Sequence, residues 1–217
     1  MIYRVSENEN KELGKDIQEH IRDLMIIKTK LIEDGAKKVL EENKEERGIE
    51  RLIDLTMYAH REHKRVFFVA EGRSKLVGEA FAMRLRQMGF HAHIIGESTT
   101  PRVRTEDIVI VISGSGETDT NIARCQIIIA TIKAKIIVIT SHKDSTLGRL
   151  ADICIKLPGR DEVEVVEYTK RRLVGGPILP LRTFFEAIAG ILLDSVIEKL
   201  MCLTKTDEKA MQERHGI

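Results

Sequence analysis

Between residues 66 and 157 the chain alternates short apolar runs with stretches of helical periodicity, and this alternation constrains the fold more than any other feature. Val66-Phe67-Phe68-Val69-Ala70 and Ile108-Val109-Ile110-Val111-Ile112 are apolar at every position. A strand with no polar alternate has to be covered on both faces. The pattern predicts strands at 66–70, 91–95, 107–112, 134–140 and 153–157, with helices at 76–88, 121–133 and 146–151 between them. Strands joined through helices need crossovers, so a parallel α/β sheet with helices on both faces is expected. Ligands of such sheets bind beyond the carboxyl ends of the strands. Short loops at 71–74, 97–101 and 113–118 end there.

On the amino-terminal side, Ile17, Ile21, Leu24, Ile27, Leu31, Ile32, Val39 and Leu40 fall at helical spacing over 12–42, with a break expected at Gly35. Residues 1–10 read as loose. A stripe of this length must be buried, against its own domain or at a subunit interface. A charged connector at 41–47 and a helix at 49–62 follow, so 1–47 reads as a helical extension and 48–217 as the main domain. Beyond the strands come a polar connector at 158–176, a strongly apolar helix at 179–201 and a polar helix at 206–214.

Charge excludes some functions. The 217 residues carry 35 basic and 34 acidic side chains, which argues against a nucleic-acid partner. No run of about 18 apolar residues exists to span a membrane, and no signal peptide is seen, so a cytoplasmic protein is expected. Cys125, Cys154 and Cys202 are widely spaced, which suits a reducing compartment and makes no metal signature.

The chemistry concentrates in Ser113-Gly114-Ser115-Gly116-Glu117-Thr118, between a buried strand and a helix start. Glycines let backbone amides approach an anion, hydroxyls donate to it, and the first helical amides are unpaired at the positive end of the helix. Ser113, Ser115 and Thr118 are therefore candidate phosphate ligands; the alternative is a serine-rich turn that caps a helix. A Walker loop is excluded because no GK[ST] follows, and the third glycine of a dinucleotide fingerprint is missing. Glu186 stands on an otherwise apolar helix. Partly desolvated, its carboxylate would have a raised pKa and serve as a general base; paired with Arg182, it would be structural. His215 is either an acid/base partner or a solvated terminal histidine. Glu97, at a strand end, is a sugar-hydroxyl acceptor or a solvated loop carboxylate, and Arg73 can pair with a phosphate.

These residues resemble the sugar isomerase (SIS) domain family, and more closely its 6-phospho-3-hexuloisomerase group. The matching pieces are Gly72-Arg73-Ser74, Ala80-Phe81-Ala82-Met83-Arg84-Leu85, Gly96-Glu97 with Thr100-Pro101, the serine loop, Ile139-Thr140-Ser141, Pro180-Leu181 with Thr183 and Phe185-Glu186, and Arg214-His215. The resemblance implies a five-stranded parallel sheet flanked by helices, a homotetramer, and interconversion of 3-hexulose 6-phosphate with fructose 6-phosphate without metal or organic cofactor. It implies that Ser74, Ser113, Ser115 and Thr118 contact phosphate and sugar, that Glu186 is the catalytic carboxylate, and that His215 reaches a neighbouring subunit's site. Members of the group usually read glycine where this chain has Glu71, Lys75 and Arg182. Glu71 brings negative charge towards the site, and Lys75 is placed to compensate it.

Overall fold

The computed structural model describes residues 7–159 and 183–215. Its sheet has five parallel strands: β1 (Arg65–Ala70), β2 (His91–Ile94), β3 (Ile108–Ile112), β4 (Lys135–Thr140) and β5 (Ile153–Lys156), in the order β2-β1-β3-β4-β5. The helices of the described residues are α1 (Glu7–Glu42), α2 (Gly48–Arg61), α3 (Gly72–Gln87), α4 (Asp119–Thr131), α5 (Thr146–Leu150), α6 (Thr183–Thr204) and α7 (Glu208–Glu213). None of them is long and apolar enough to cross a membrane.

Apolarity at every strand position has the expected cause. Val66, Phe68, Ile108, Ile110 and Ile112 enter one core with side chains of α1, α2, α3 and α6. Their alternates Phe67, Val69, Val109 and Val111 enter a second core with Cys125 and Ile128 of α4 and Leu147 of α5. Each face is dry, and the three layers follow.

Several boundaries move. The first helix starts at Glu7 and runs 36 residues without a break at Gly35. That glycine is there for contact: a Cβ on it would lie 2.6 Å from Phe184 Cζ and 2.8 Å from Ile188 Cδ1. It lets α1 lie against α6, and Leu31 and Val39, one turn away on either side, are buried. At the end of α1 the buried Asn43 side chain replaces a missing strand neighbour. Its Nδ2 donates to Lys156 O (2.7 Å) and its Oδ1 accepts from Lys156 N (2.9 Å), closing the β5 edge. Residues 72–74, expected in a turn, lie in the first turn of α3. Most of the 158–176 connector, and Arg182, lie outside the described residues.

Candidate functional site

Strand order reverses between β1 and β3, and two of the three loops expected to bind ligand, 71–74 and 113–118, sit at the carboxyl ends of those two strands. Helix α3 starts after β1 and α4 after β3. Neither N-cap residue, Glu71 or Thr118, makes a side-chain capping bond. Two helix starts thus leave their first amides uncapped around one crevice, as an anion requires. The Thr118 hydroxyl lies instead 3.1 Å from Ser113 Oγ, which also accepts from Gly116 N at 3.2 Å. Ser115 Oγ accepts from Glu117 N at 3.3 Å.

The loop is held from below by the residue after β4 and by α5. Ser141 N donates to Gly114 O (3.1 Å) and Leu147 N to Gly116 O (3.0 Å). Glu117 faces away from the crevice and accepts from Thr146 N at 2.7 Å at the start of α5. That amide holds the Glu117 carboxyl below its ordinary range.

Glu186 occupies the first turn of α6 and is 7% exposed. Its neighbour Phe185 lies on the serine loop, where a Cβ at Gly114 would be 3.2 Å from Phe185 Cδ1. Glu186 is the next residue along the helix that packs on the loop. Glu186 Oε2 lies 3.7 Å from Arg73 Nε, so the arginine expected on a phosphate sits on this carboxylate. Ser74, buried in the first turn of α3, completes the corner. Arg73, Ser74, Ser113, Ser115, Thr118 and Glu186 thus belong to one linked set of elements. A buried carboxylate is a chemically competent general base for a proton held within its reach.

Glu97 and His215 share a second concavity of the protomer. Both line a cleft of about 820 Å³ beside edge strand β2, with Glu79, Met83, Arg86 and His93. The supposed compensation of Glu71 by Lys75 is not what forms. Glu71 Oε1 meets Arg124 Nη1 at 2.5 Å, whereas Lys75 pairs with Glu79 one turn along α3 at 3.5 Å. An i,i+4 partner was available to Lys75, and Arg124 reaches Glu71 from another helix. Sequence reasoning missed Arg124. It also missed Asn121, in the first turn of α4, which is 1% exposed and has no partner for its amide among the described residues. Such an amide is ordinarily completed by an ordered water. Its only sequence signal was a polar residue on the Asn121, Cys125, Ile128 face.

Comparison with known proteins agrees with this fold. The SIS domain family model matches residues 60–174. The chain belongs to the SIS domain family. It is 38% identical over 171 residues to an uncharacterized protein of Aeropyrum pernix, covering 77% of this chain and 80% of that one. It is 34% identical over 172 residues to the 3-hexulose-6-phosphate isomerase of Bacillus subtilis, covering 77% and 84%. A solved structure of a Methanococcus jannaschii protein, for which a 3-hexulose-6-phosphate isomerase function has been inferred, superposes with a TM-score of 0.71. That protein is 28% identical, over 87% of this chain and 97% of its own.

Proposed function

We propose that this SIS protein is a sugar-phosphate isomerase that interconverts 3-hexulose 6-phosphate and fructose 6-phosphate. The observation that carries the reading is the burial of Glu186 beside Phe185, which packs on Gly114 of a loop that leads into an uncapped helix start. The likeness to the Bacillus subtilis isomerase favours this substrate pair. The phosphate is held by Ser113, Ser115, Thr118 and the free amides of α4, with Ser74 beside it. A non-reacting group thereby places the reacting carbons.

The carbonyl at C3 acidifies the hydrogen on C2. Glu186 removes that proton, and the electron pair forms the C2–C3 double bond of a cis-enediolate. Return of a proton to C3 leaves the carbonyl at C2. His215 moves the oxygen-bound protons, and it does so in a neighbouring subunit, since in its own protomer it lines the β2 cleft with Glu97. A homo-oligomer, a tetramer or a pair of dimers, is part of this reading.

The test is exchange of carbon-bound hydrogen of fructose 6-phosphate in deuterated water. Wild type incorporates deuterium, and Glu186→Gln slows incorporation by about 10²–10⁴-fold while retaining phosphate binding. Unchanged exchange in Glu186→Gln removes it as the base. A second reading, a sugar-phosphate sensor without catalysis, draws on the Arg73 contact that engages Glu186. It requires sugar-phosphate binding with no exchange in wild type. A panel including arabinose 5-phosphate tests whether another phosphosugar is preferred.

A further inference from the structure

The ion pair of Glu71 and Arg124 has no part in the mechanism above, yet it borders the same crevice. In the β1–β3 register Ala70 pairs with Ile112, so Glu71 and Ser113 are the next residues on two adjacent strands, roughly 4.8 Å apart. Phe67 and Val69 before Glu71, and Val109 and Val111 before Ser113, all point into the core beneath α4. Alternation carries Glu71 and Ser113 to that same side. Their partners agree, because Glu71 meets Arg124 of α4 and Ser113 meets Thr118 at the start of α4.

Arg124 reaches further. Its Nη2 lies 3.5 Å from where a Cβ on Gly96 would stand, and Gly96 has φ +107°. A residue there without a side chain lets the guanidinium lie across the ends of both β1 and β2. The pair is not sealed off, since the Glu71 and Arg124 side chains are 40% and 33% exposed. A carboxylate offers about four lone-pair positions, and one arginine nitrogen takes only one of them.

We propose that Glu71 is a substrate-contacting specificity residue that accepts hydrogen bonds from sugar hydroxyls, and that Arg124 keeps its charge compatible with the phosphate held beside it. The ligand class is a polyol phosphate, whose hydroxyls donate to Glu71 while its ester oxygens take the serine loop. This rests on the anion-binding reading of that loop. A bare carboxylate one strand away from a dianion would repel it, and a guanidinium at 2.5 Å cancels that field before it reaches the phosphate. Glu71 then adds discrimination for hydroxyl-bearing ligands without excluding the anion.

The experiment measures the affinity of inorganic phosphate and of fructose 6-phosphate by calorimetry for wild type, Glu71→Gln, Arg124→Gln, the double variant and Ser113→Ala, with thermal melts for folding. Glu71→Gln is expected to weaken fructose 6-phosphate about ten-fold and to leave inorganic phosphate unchanged or tighter. Arg124→Gln weakens both ligands about ten-fold, because the carboxylate is left uncompensated. The double variant regains the inorganic phosphate affinity and not that of the sugar phosphate. An effect of Glu71→Gln that is equal on both ligands, or absent on both, overturns the proposal. Should that variant fail to fold, Glu71→Gly is read against the same two ligands with the same criteria. If Ser113→Ala leaves phosphate affinity intact, the anion-site reading fails and takes this proposal with it; if Ser113→Ala loses phosphate while Glu71→Gln changes nothing, only the proposal on Glu71 falls.

Discussion

A side chain at position 116 would begin 1.9 Å from the Ser145 hydroxyl oxygen, on a backbone with φ +66°. Left-handed strain and overpacking therefore coincide there. Gly116→Ala should lose roughly 2–4 kcal/mol in urea unfolding and weaken phosphate binding, because the loop cannot keep its shape. Two histidines set a second expectation. His60 stacks on Phe90 at 4.2 Å and His93 on Phe67 at 5.4 Å. Burial pushes both imidazoles below their ordinary range. A depressed folded value means the unfolded chain binds the proton more readily, so the contribution is present above about pH 6.5 and is lost as pH falls. The thermal midpoint should drop between pH 7.5 and 5.5, and His60→Phe with His93→Phe should flatten that slope. Single residues stand out in the sequence where their type could carry chemistry, as with Ser113 and Glu186. Their partners were not, because Arg73 with Glu186 and Arg124 with Glu71 are separated by more than fifty residues and meet only through packing.

Among the elements, the buried strands were plain in the sequence because a doubly covered strand has no polar alternate. Helical spacing likewise marked α1, and strong apolarity marked α6. What spacing does not tell is why a glycine stands inside a helix. Gly35 reads as a break by propensity, yet it is a contact point at which α1 meets Phe184 and Ile188. Those two residues flank Glu186 on the first turns of α6, so the fit of α1 bears on where the carboxylate points. Gly35→Val inserts a branched side chain into space that Phe184 already fills. It should cost roughly 1–3 kcal/mol in urea unfolding. It should also lower the exchange rate of fructose 6-phosphate more than it lowers affinity for inorganic phosphate, since α6 is displaced and the serine loop keeps its bonds to β4. A loss of stability with exchange per folded molecule unchanged would show that α1 does not set the position of Glu186.

For the molecule as a whole, strand order alone places the crevice between β1 and β3, and the alternation of the sequence was enough to anticipate the parallel sheet that forms it. The place of His215 was not readable in that way, because it depends on how the last helix packs. In the protomer Arg214 Nη1 donates to Gln87 O at 3.2 Å, which ties the end of the chain to the end of α3. His215 therefore opens on the β2 cleft, whereas Glu186 pairs with Arg73 at the start of α3. If the two work on one substrate, they come from different subunits, and complementation decides it. A Glu186→Gln subunit keeps a histidine to lend, and a His215→Ala subunit keeps a carboxylate that can use it. Each variant alone should be nearly inactive. Unfolded together and refolded at equal amounts, they form hybrid pairs in half of the assemblies. Each hybrid pair holds one site with both groups intact, so activity should recover to about a quarter of wild type. Refolded mixtures no more active than the separate variants would place both groups in the same chain's site, or remove His215 from the reaction.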